Sequence, residues 1–382
     1  MLRVLCCVLL AALLIASALG CMPRAATYTL SLASPTPPEV SARAAILMEA
    51  GTGLVLTEKN ADERLPMAST TKIMTALVVL EQLPLDMTVA VPPEAVGVEG
   101  SSVYLYAGER LTVETLLYAL LLSSANDAAV ALALTVSESV EAFAALMNER
   151  AATLGLTNTH FCNPHGLHSE EHYTTARDLA RLFSAAMQNA DFARISATKR
   201  HTQKQDGTDA TRLFLNHNRL LGTLDGACGG KTGFTRAAGR CLASAARRNG
   251  LLLVAVTLQA PNDWQDHRAL LEFGFASYEQ YTPSPSPISV PVVGGERKHV
   301  ALLPTASPSL PLPRGTEVEC TLELPRFLFG GFAAGEVRGR LIYRAGGEVI
   351  AEIPLATAEP VAAERPLSLI SRLFKKIRFR TL

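Results

Sequence analysis

The chain has 382 residues, 48% hydrophobic and 18% charged, with 35 Lys and Arg set against 35 Asp and Glu. That length has room for two domains, and a net charge of zero removes any bulk electrostatic case for nucleic acid or a strongly acidic partner. The basic residues are unevenly spread, however, and crowd the last segment.

Residues 1–20 read as a secretory signal. Arg3 supplies the positive start, Val4 to Leu19 is almost wholly apolar, and Ala16-Ser17-Ala18-Leu19-Gly20 closes the segment with small residues. A retained span is the alternative, and the apolar run is short for one. Gly20-Cys21 also resembles the end of a lipoprotein signal, for which Ala18 is a weak residue. Residues 21–43, with Pro35, Pro37 and Pro38, read as a linker. Export permits disulfides, yet Cys162, Cys228, Cys241 and Cys320 have no framework-like spacing and are expected as buried free thiols. Cys228 and Cys241 could approach each other only if their segments pair as strands.

A first domain is expected over 44–280. Ala45-Ile46-Leu47-Met48 and Leu54-Val55-Leu56 flank Ala50-Gly51-Thr52-Gly53, which predicts a hairpin. A long helical stretch runs from Ser69 to about Met187, interrupted near Pro84, at Pro92-Pro93 and at Asn163-Pro164-His165-Gly166. Strand signals return after Gly226, in Cys241-Leu242-Ala243 and in Leu251 to Val256, and Asp266 to Ala276 reads as a helix. A two-stranded ribbon is marginal alone, so both groups of strands are expected to join in one sheet. The result is an α/β (α+β) fold: an antiparallel sheet flanked by helices, with a helical lobe inserted between its two halves.

Thr282-Pro283-Ser284-Pro285-Ser286-Pro287 marks a Pro-rich linker over 281–289. Residues 290–358 are rich in Val, Leu, Gly and Pro and predict a small all-β domain, a β-sandwich. Residues 364–382 form an amphipathic helix candidate. Leu367, Ile370, Leu373, Phe374 and Ile377 project to one side, with Arg372, Lys375 and Lys376 opposite. It is too short and too charged to cross a bilayer and suits attachment to a membrane surface.

Chemistry concentrates in three motifs. Ser69 and Lys72 are three apart at the start of the first long helix, so a helix puts both on one face. A hydroxyl needs a base to become a nucleophile, and a buried lysine, its pKa depressed, is such a base. Ser124-Ala125-Asn126 supplies a Ser-x-Asn on a second helical stretch, and Lys231-Thr232-Gly233 opens a strand after the lobe. A lone Ser-x-x-Lys is common by chance, but three elements in this order and on these structural types form the set used by β-lactamases and penicillin-binding proteins.

The surroundings narrow this. Gly100-Ser101-Ser102, Ala107-Gly108-Glu109, Leu120 to Ala129, Asn163-Pro164-His165-Gly166-Leu167 and Lys231 to Thr235 with Ala238-Gly239 resemble the D-alanyl-D-alanine carboxypeptidase branch of the low-molecular-mass penicillin-binding proteins. The likeness runs from about Ala44 to Tyr278, and more loosely beyond. Ala125 stands where the family usually has Gly, and His165 where Thr is common. The resemblance implies a β-lactamase/transpeptidase-like fold and a serine peptidase that removes the terminal D-alanine from peptidoglycan stem pentapeptides. In that scheme the catalytic residues are Ser69 as nucleophile, Lys72 as its base and Ser124 as proton relay. Asn126, Lys231, Thr232, Gly233 and Phe234 bind substrate, with the N–H groups of Ser69 and Phe234 as oxyanion hole and one of Arg219, Arg236 or Arg268 on the terminal carboxylate. It also implies β-lactams as covalent inhibitors and no cofactor; with the secretory signal and the amphipathic last helix, a location at the outer face of the cytoplasmic membrane is expected, held there by that helix.

His165, His168 and His172 cluster near Glu170 and Glu171, but the spacing matches no His-Glu-x-x-His helix and predicts a loop, so no metal is expected. Gly226 to Gly233 lacks P-loop spacing. A class A β-lactamase would need a further glutamate, and no Glu-x-x-x-Asn comes after Asn126 in the lobe. A wall transpeptidase or endopeptidase shares the same acyl-enzyme, and a silent scaffold would not keep Ser69, Lys72, Ser124 and Lys231 together.

Overall fold

The computed structural model describes residues 36–204 and 210–364. The signal, most of the first linker and all but the first residue of the terminal basic segment lie outside the described residues. The elements in chain order are β1 (Ala44–Glu49), β2 (Val55–Lys59), a 3-10 turn (Ala68–Thr71) and α1 (Lys72–Gln82). Then come β3 (Thr88–Ala90), β4 (Arg110–Thr112), α2 (Val113–Leu122), α3 (Asn126–Val136), α4 (Val140–Thr153), α5 (Ala176–Gln188) and α6 (Ala190–Ala197). A ribbon, β5 (Arg200–Lys204) and β6 (Thr211–Leu215), and the short α7 (Leu220–Thr223) precede β7 (Ala227–Thr235), β8 (Gly239–Arg248), β9 (Leu251–Leu258) and α8 (Asp263–Ser277).

The strands from both ends of this region form one antiparallel sheet in the order β2-β1-β9-β8-β7. Strand β9, Leu251–Leu258, is buried along its whole length, as a central strand covered on both faces must be. Alternation divides its neighbours: Ile46, Met48, Val254 and Val256 face the helical lobe, while Ala45, Leu47, Leu253 and Ala255 face Leu270, Leu271 and Phe275 of α8. The result is a helix–sheet–helix sandwich, with each fully buried aliphatic side chain contributing roughly 1.5–3 kcal/mol. Helix α1 has eight buried residues out of eleven and runs through the centre of the lobe. Several helix starts are capped by side chains, among them Thr112, Ser139 and Thr175.

The lobe is less helical than its sequence suggests. The interruption at Pro84 and Pro92-Pro93 widens into the β3–β4 ribbon, and β5–β6, whose residues 200–215 carry no strong strand signal, pairs as a second one. Both ribbons lie against helices, and tertiary packing outweighs local preference there.

Beyond α8 the chain runs directly into β10 (Tyr278–Tyr281). The rest is all β: β11 (Ile288–Val293), β12 (His299–Pro304), β13 (Leu310–Pro313), β14 (Val318–Glu323), β15 (Leu328–Phe329), β16 (Val337–Ala345) and β17 (Glu348–Thr357). Strands β10 and β13 pair as a ribbon, and the others form a six-stranded sheet in the order β14-β16-β17-β12-β11-β15. The long β16–β17 hairpin turns through Gly346 and Gly347, with φ of 57° and 86°, the positive pair that a two-residue hairpin turn favours. Arg314 ties the ribbon to α8: its Nε donates to the Phe275 carbonyl and its N–H to Ser277. The four described cysteines are unpaired; only Cys241 is buried, and Cys320 is exposed. Register explains the first pair. Cys241 stands opposite Gly233 on β7, well away from Cys228.

Candidate active site

Ser69 lies in the 3-10 turn that leads into α1, and Lys72 is the first residue of that helix. The residue before the nucleophile, Ala68, takes a left-handed conformation with φ of 48°, a strain expected at functional sites. Its carbonyl accepts a hydrogen bond from Thr71 Oγ1 at 2.8 Å. Thr71 Oγ1 also lies 2.7 Å from His172 Nε2. His172 Nδ1 accepts from the Cys162 N–H, so Nε2 carries the proton and donates to Thr71. From the other side, Gly166 closes on the turn; a Cβ there would stand 2.0 Å from the Ala68 carbonyl oxygen.

Lys72 is fully buried. Its Nζ lies 3.0 Å from Ser69 Oγ, 2.7 Å from Asn126 Oδ1 and 2.6 Å from the His165 carbonyl oxygen. Burial, followed by the charge of Lys231, holds its pKa well below the usual lysine range. A neutral amine has two N–H groups and one lone pair. With the N–H groups given to Asn126 and His165, the lone pair is left for the Ser69 hydroxyl proton.

Ser124 lies in the tight passage from α2 to α3, with φ of 58°. Its Oγ receives a hydrogen bond from Lys231 Nζ at 2.9 Å, and the same ammonium donates to the Thr232 carbonyl. Burial pushes the Lys231 pKa down to about 7. Lys231 is on β7, the edge strand of the five-stranded sheet. The open cleft beside it, about 570 Å³, is lined by Ser69, Ser101, Ser124, Asn216, Arg219, Thr232, Gly233, Phe234, Arg240 and Trp264 among others.

Comparison with known proteins gives the family. A family profile described as D-alanyl-D-alanine carboxypeptidase matches residues 31–262. The chain belongs to this family. It is 32% identical to the D-alanyl-D-alanine carboxypeptidase DacF of Bacillus subtilis, covering 83% of this chain and 85% of DacF. It is 35% identical to DacC of Escherichia coli, covering 85% of each. Penicillin binding protein 5 from Haemophilus influenzae superposes with a TM-score of 0.71 at 29% identity, over 86% of this chain and 99% of that structure.

Within this carboxypeptidase, all eight site residues read from the sequence gather at one place, and three of them also make contacts within the protein. Asn126 is buried, with Oδ1 on Lys72 and Nδ2 donating to the Glu99 carbonyl at 2.5 Å, so it holds the base in place. Lys231, the second positive charge in the site and one that lowers the Lys72 pKa, is also buried and reaches Ser124. Gly233 lines the cleft, and its missing Cβ also lets β7 pack on the nucleophile turn, where a Cβ would stand 3.0 Å from the Ser69 nitrogen and the Met67 carbonyl oxygen. Of the three candidate arginines, only Arg219 lines the cleft, while Arg268 Nη2 donates to the Thr223 carbonyl. Arg240 escapes sequence reasoning. It stands opposite Phe234 in the β7–β8 register, held by Asp263 at 3.0 Å and near the Trp264 ring. The His165 carbonyl escapes it too, because a main-chain atom leaves no mark on residue type. The clustered histidines do not converge: the His165 ring nitrogen Nδ1 accepts from Leu167, and both His172 nitrogens are engaged within the fold.

Proposed function

We propose that the chain is an exported serine D-Ala-D-Ala carboxypeptidase in which Ser69 attacks the carbonyl between the two terminal D-alanines of a peptidoglycan stem pentapeptide. The Lys72 lone pair takes the hydroxyl proton as the bond to carbon forms. The N–H groups of Ser69 and Phe234 receive the developing oxyanion. Ser124, hydrogen-bonded to Lys231, passes a proton to the departing D-alanine nitrogen, which leaves an acyl-enzyme on Ser69 for water to cleave. The Thr232 hydroxyl binds the substrate's terminal carboxylate, and Arg219 or Arg240 completes its recognition. The observation that carries this reading is the buried Lys72 amine with two acceptors filled and Ser69 Oγ 3.0 Å away.

β-Lactams would acylate the same serine and stay bound. Asp263 is the one carboxylate lining the cleft among the described residues, and it is paired with Arg240, which favours slow release over β-lactamase turnover. Residues 364–382 hold the enzyme on the outer surface of the cytoplasmic membrane through their apolar side and basic residues, each cation worth on the order of 1 kcal/mol near an anionic surface. A synthetic pentapeptide ending in D-Ala-D-Ala tests the activity. Equimolar free D-alanine and tetrapeptide are expected. Transfer of the tetrapeptide to an added amine in preference to water would make the protein a transpeptidase.

A further inference from the structure

An apolar patch lies on the C-terminal sheet where the described chain ends. Strands β11 and β15 run parallel, with Val292 beside Leu328 and Val293 beside Phe329. Val292 and Leu328 enter the buried core of this region, so alternation turns Val293, Phe329 and Phe327 to the outer face. They are 48%, 71% and 45% exposed, and the two phenyl rings pack edge to face with centroids 5.3 Å apart. Two large aromatic side chains in water, paired and reinforced by a valine, are an arrangement that soluble surfaces rarely keep without a partner.

The patch is also rigidly joined to the chain's exit. Gly330 N–H donates to the Val293 carbonyl, Gly331 N–H to Val361 and Glu364 N–H to Gly294. The last described residues are thus laced between the two strands that carry the patch. Residues 365–382, next along the chain, include Arg365, Arg372, Lys375, Lys376, Arg378 and Arg380 and no acidic residue. The segments that lead to and from the patch carry both signs, with Glu296, Arg297 and Lys298 shortly after Val293 and Arg326 just before Phe327, and Arg297 is paired with Glu359. The cationic tail is therefore the electrostatic element and the patch the apolar one.

We propose that Phe327, Phe329 and Val293 form a second membrane contact, inserting their side chains between lipid headgroups beside the basic tail. This deepens the proposed membrane attachment and rests on it. Aromatic rings suit the headgroup boundary, and an exit segment hydrogen-bonded to the strands of the patch means that a tail lying on the membrane brings the rings to the same surface. Two anchoring signals convert marginal attachment into stable attachment.

The test uses the chain from Met22 onward and flotation with vesicles of phosphatidylglycerol and phosphatidylcholine. Phe327→Ser/Phe329→Ser is expected to acylate with penicillin as the parent does and to bind vesicles about tenfold or more weakly, given the apolar area withdrawn. Deleting residues 365–382 should leave weak binding that salt does not reduce and that the serine pair abolishes. Phe329→Trp should show blue-shifted emission, quenched by brominated lipid, on vesicle addition. Parent-level flotation of the serine pair, or unquenched emission from the Phe329→Trp variant, would overturn the proposal. Parent-level flotation after tail deletion would overturn the tail reading alone, and the serine pair would still judge the patch. If the serine pair makes the tail more protease-sensitive without vesicles, the patch holds the chain's own tail and the lipid proposal fails.

Discussion

At Lys72 an ammonium group would sit fully buried beside a second lysine, and releasing its proton is the cheaper state. Arginine keeps its proton, so Lys72→Arg preserves the charge and removes the proposed base. Acylation by penicillin should slow by about a hundredfold or more; a near-parental rate would mean that charge placement alone matters. Because the Lys231 charge helps to keep Lys72 neutral, Lys231→Met should let Lys72 hold its proton to higher pH. On acidification the acylation rate of that variant should then begin to fall at a higher pH than in the parent, whatever its plateau, and an unmoved acid limb would contradict the coupling. Ser69, Lys72, Ser124 and Lys231 were legible because helical spacing and motif order bring reactive types together. Arg240 and the His165 carbonyl were not. One depends on strand register and the other on a main-chain atom.

Among the elements, the loop after Phe161 matters as much as the helix it braces. Gly166 has φ of 89° and no room for a Cβ against Ala68, so Gly166→Ala must displace the loop that carries the His165 carbonyl away from Lys72. A cost of about 1–3 kcal/mol is expected, read as a lowered urea midpoint, together with a larger fall in acylation rate than in penicillin affinity. Equal stability and rate would show that the loop yields freely. On the opposite face of the sheet, His267 of α8 bridges Ser244 of β8 at 2.6 Å and Thr257 of β9 at 2.9 Å. Burial depresses its pKa to about 3, while an unfolded histidine titrates near 6.5. Between those values the unfolded chain binds the extra proton, so the bridge's contribution is present above pH 6.5 and lost as pH falls toward 3. His267→Gln should be less stable at neutral pH yet lose less stability between pH 6.5 and 4; parallel curves would contradict this. The sequence pattern places α8, but not its hydrogen bonds through the sheet, since a lone histidine in a helix looks the same on either face.

Across the whole molecule, a sheet assembled from both ends of the catalytic region was readable from the grouping of apolar strands, since neither group could bury itself alone. The ribbons β3–β4 and β5–β6 were less so, because their stability comes from the helices they touch. The Pro-rich run lies between β10 and β11, and Arg314 just after β13 ties the later strands to α8 through hydrogen bonds to the Phe275 and Ser277 carbonyls. Deleting the residues after Glu364 should accordingly leave turnover of a soluble pentapeptide intact while vesicle binding falls steeply, measured on one preparation by D-alanine release and flotation. The central claim is the nucleophile itself. Mass spectrometry of the protein after brief exposure to penicillin, with peptide mapping, should find one covalent adduct on the peptide containing Ser69, persisting far beyond a β-lactamase turnover. An adduct on any other residue would contradict it, and rapid return of unmodified protein with hydrolysed penicillin would point to a β-lactamase instead.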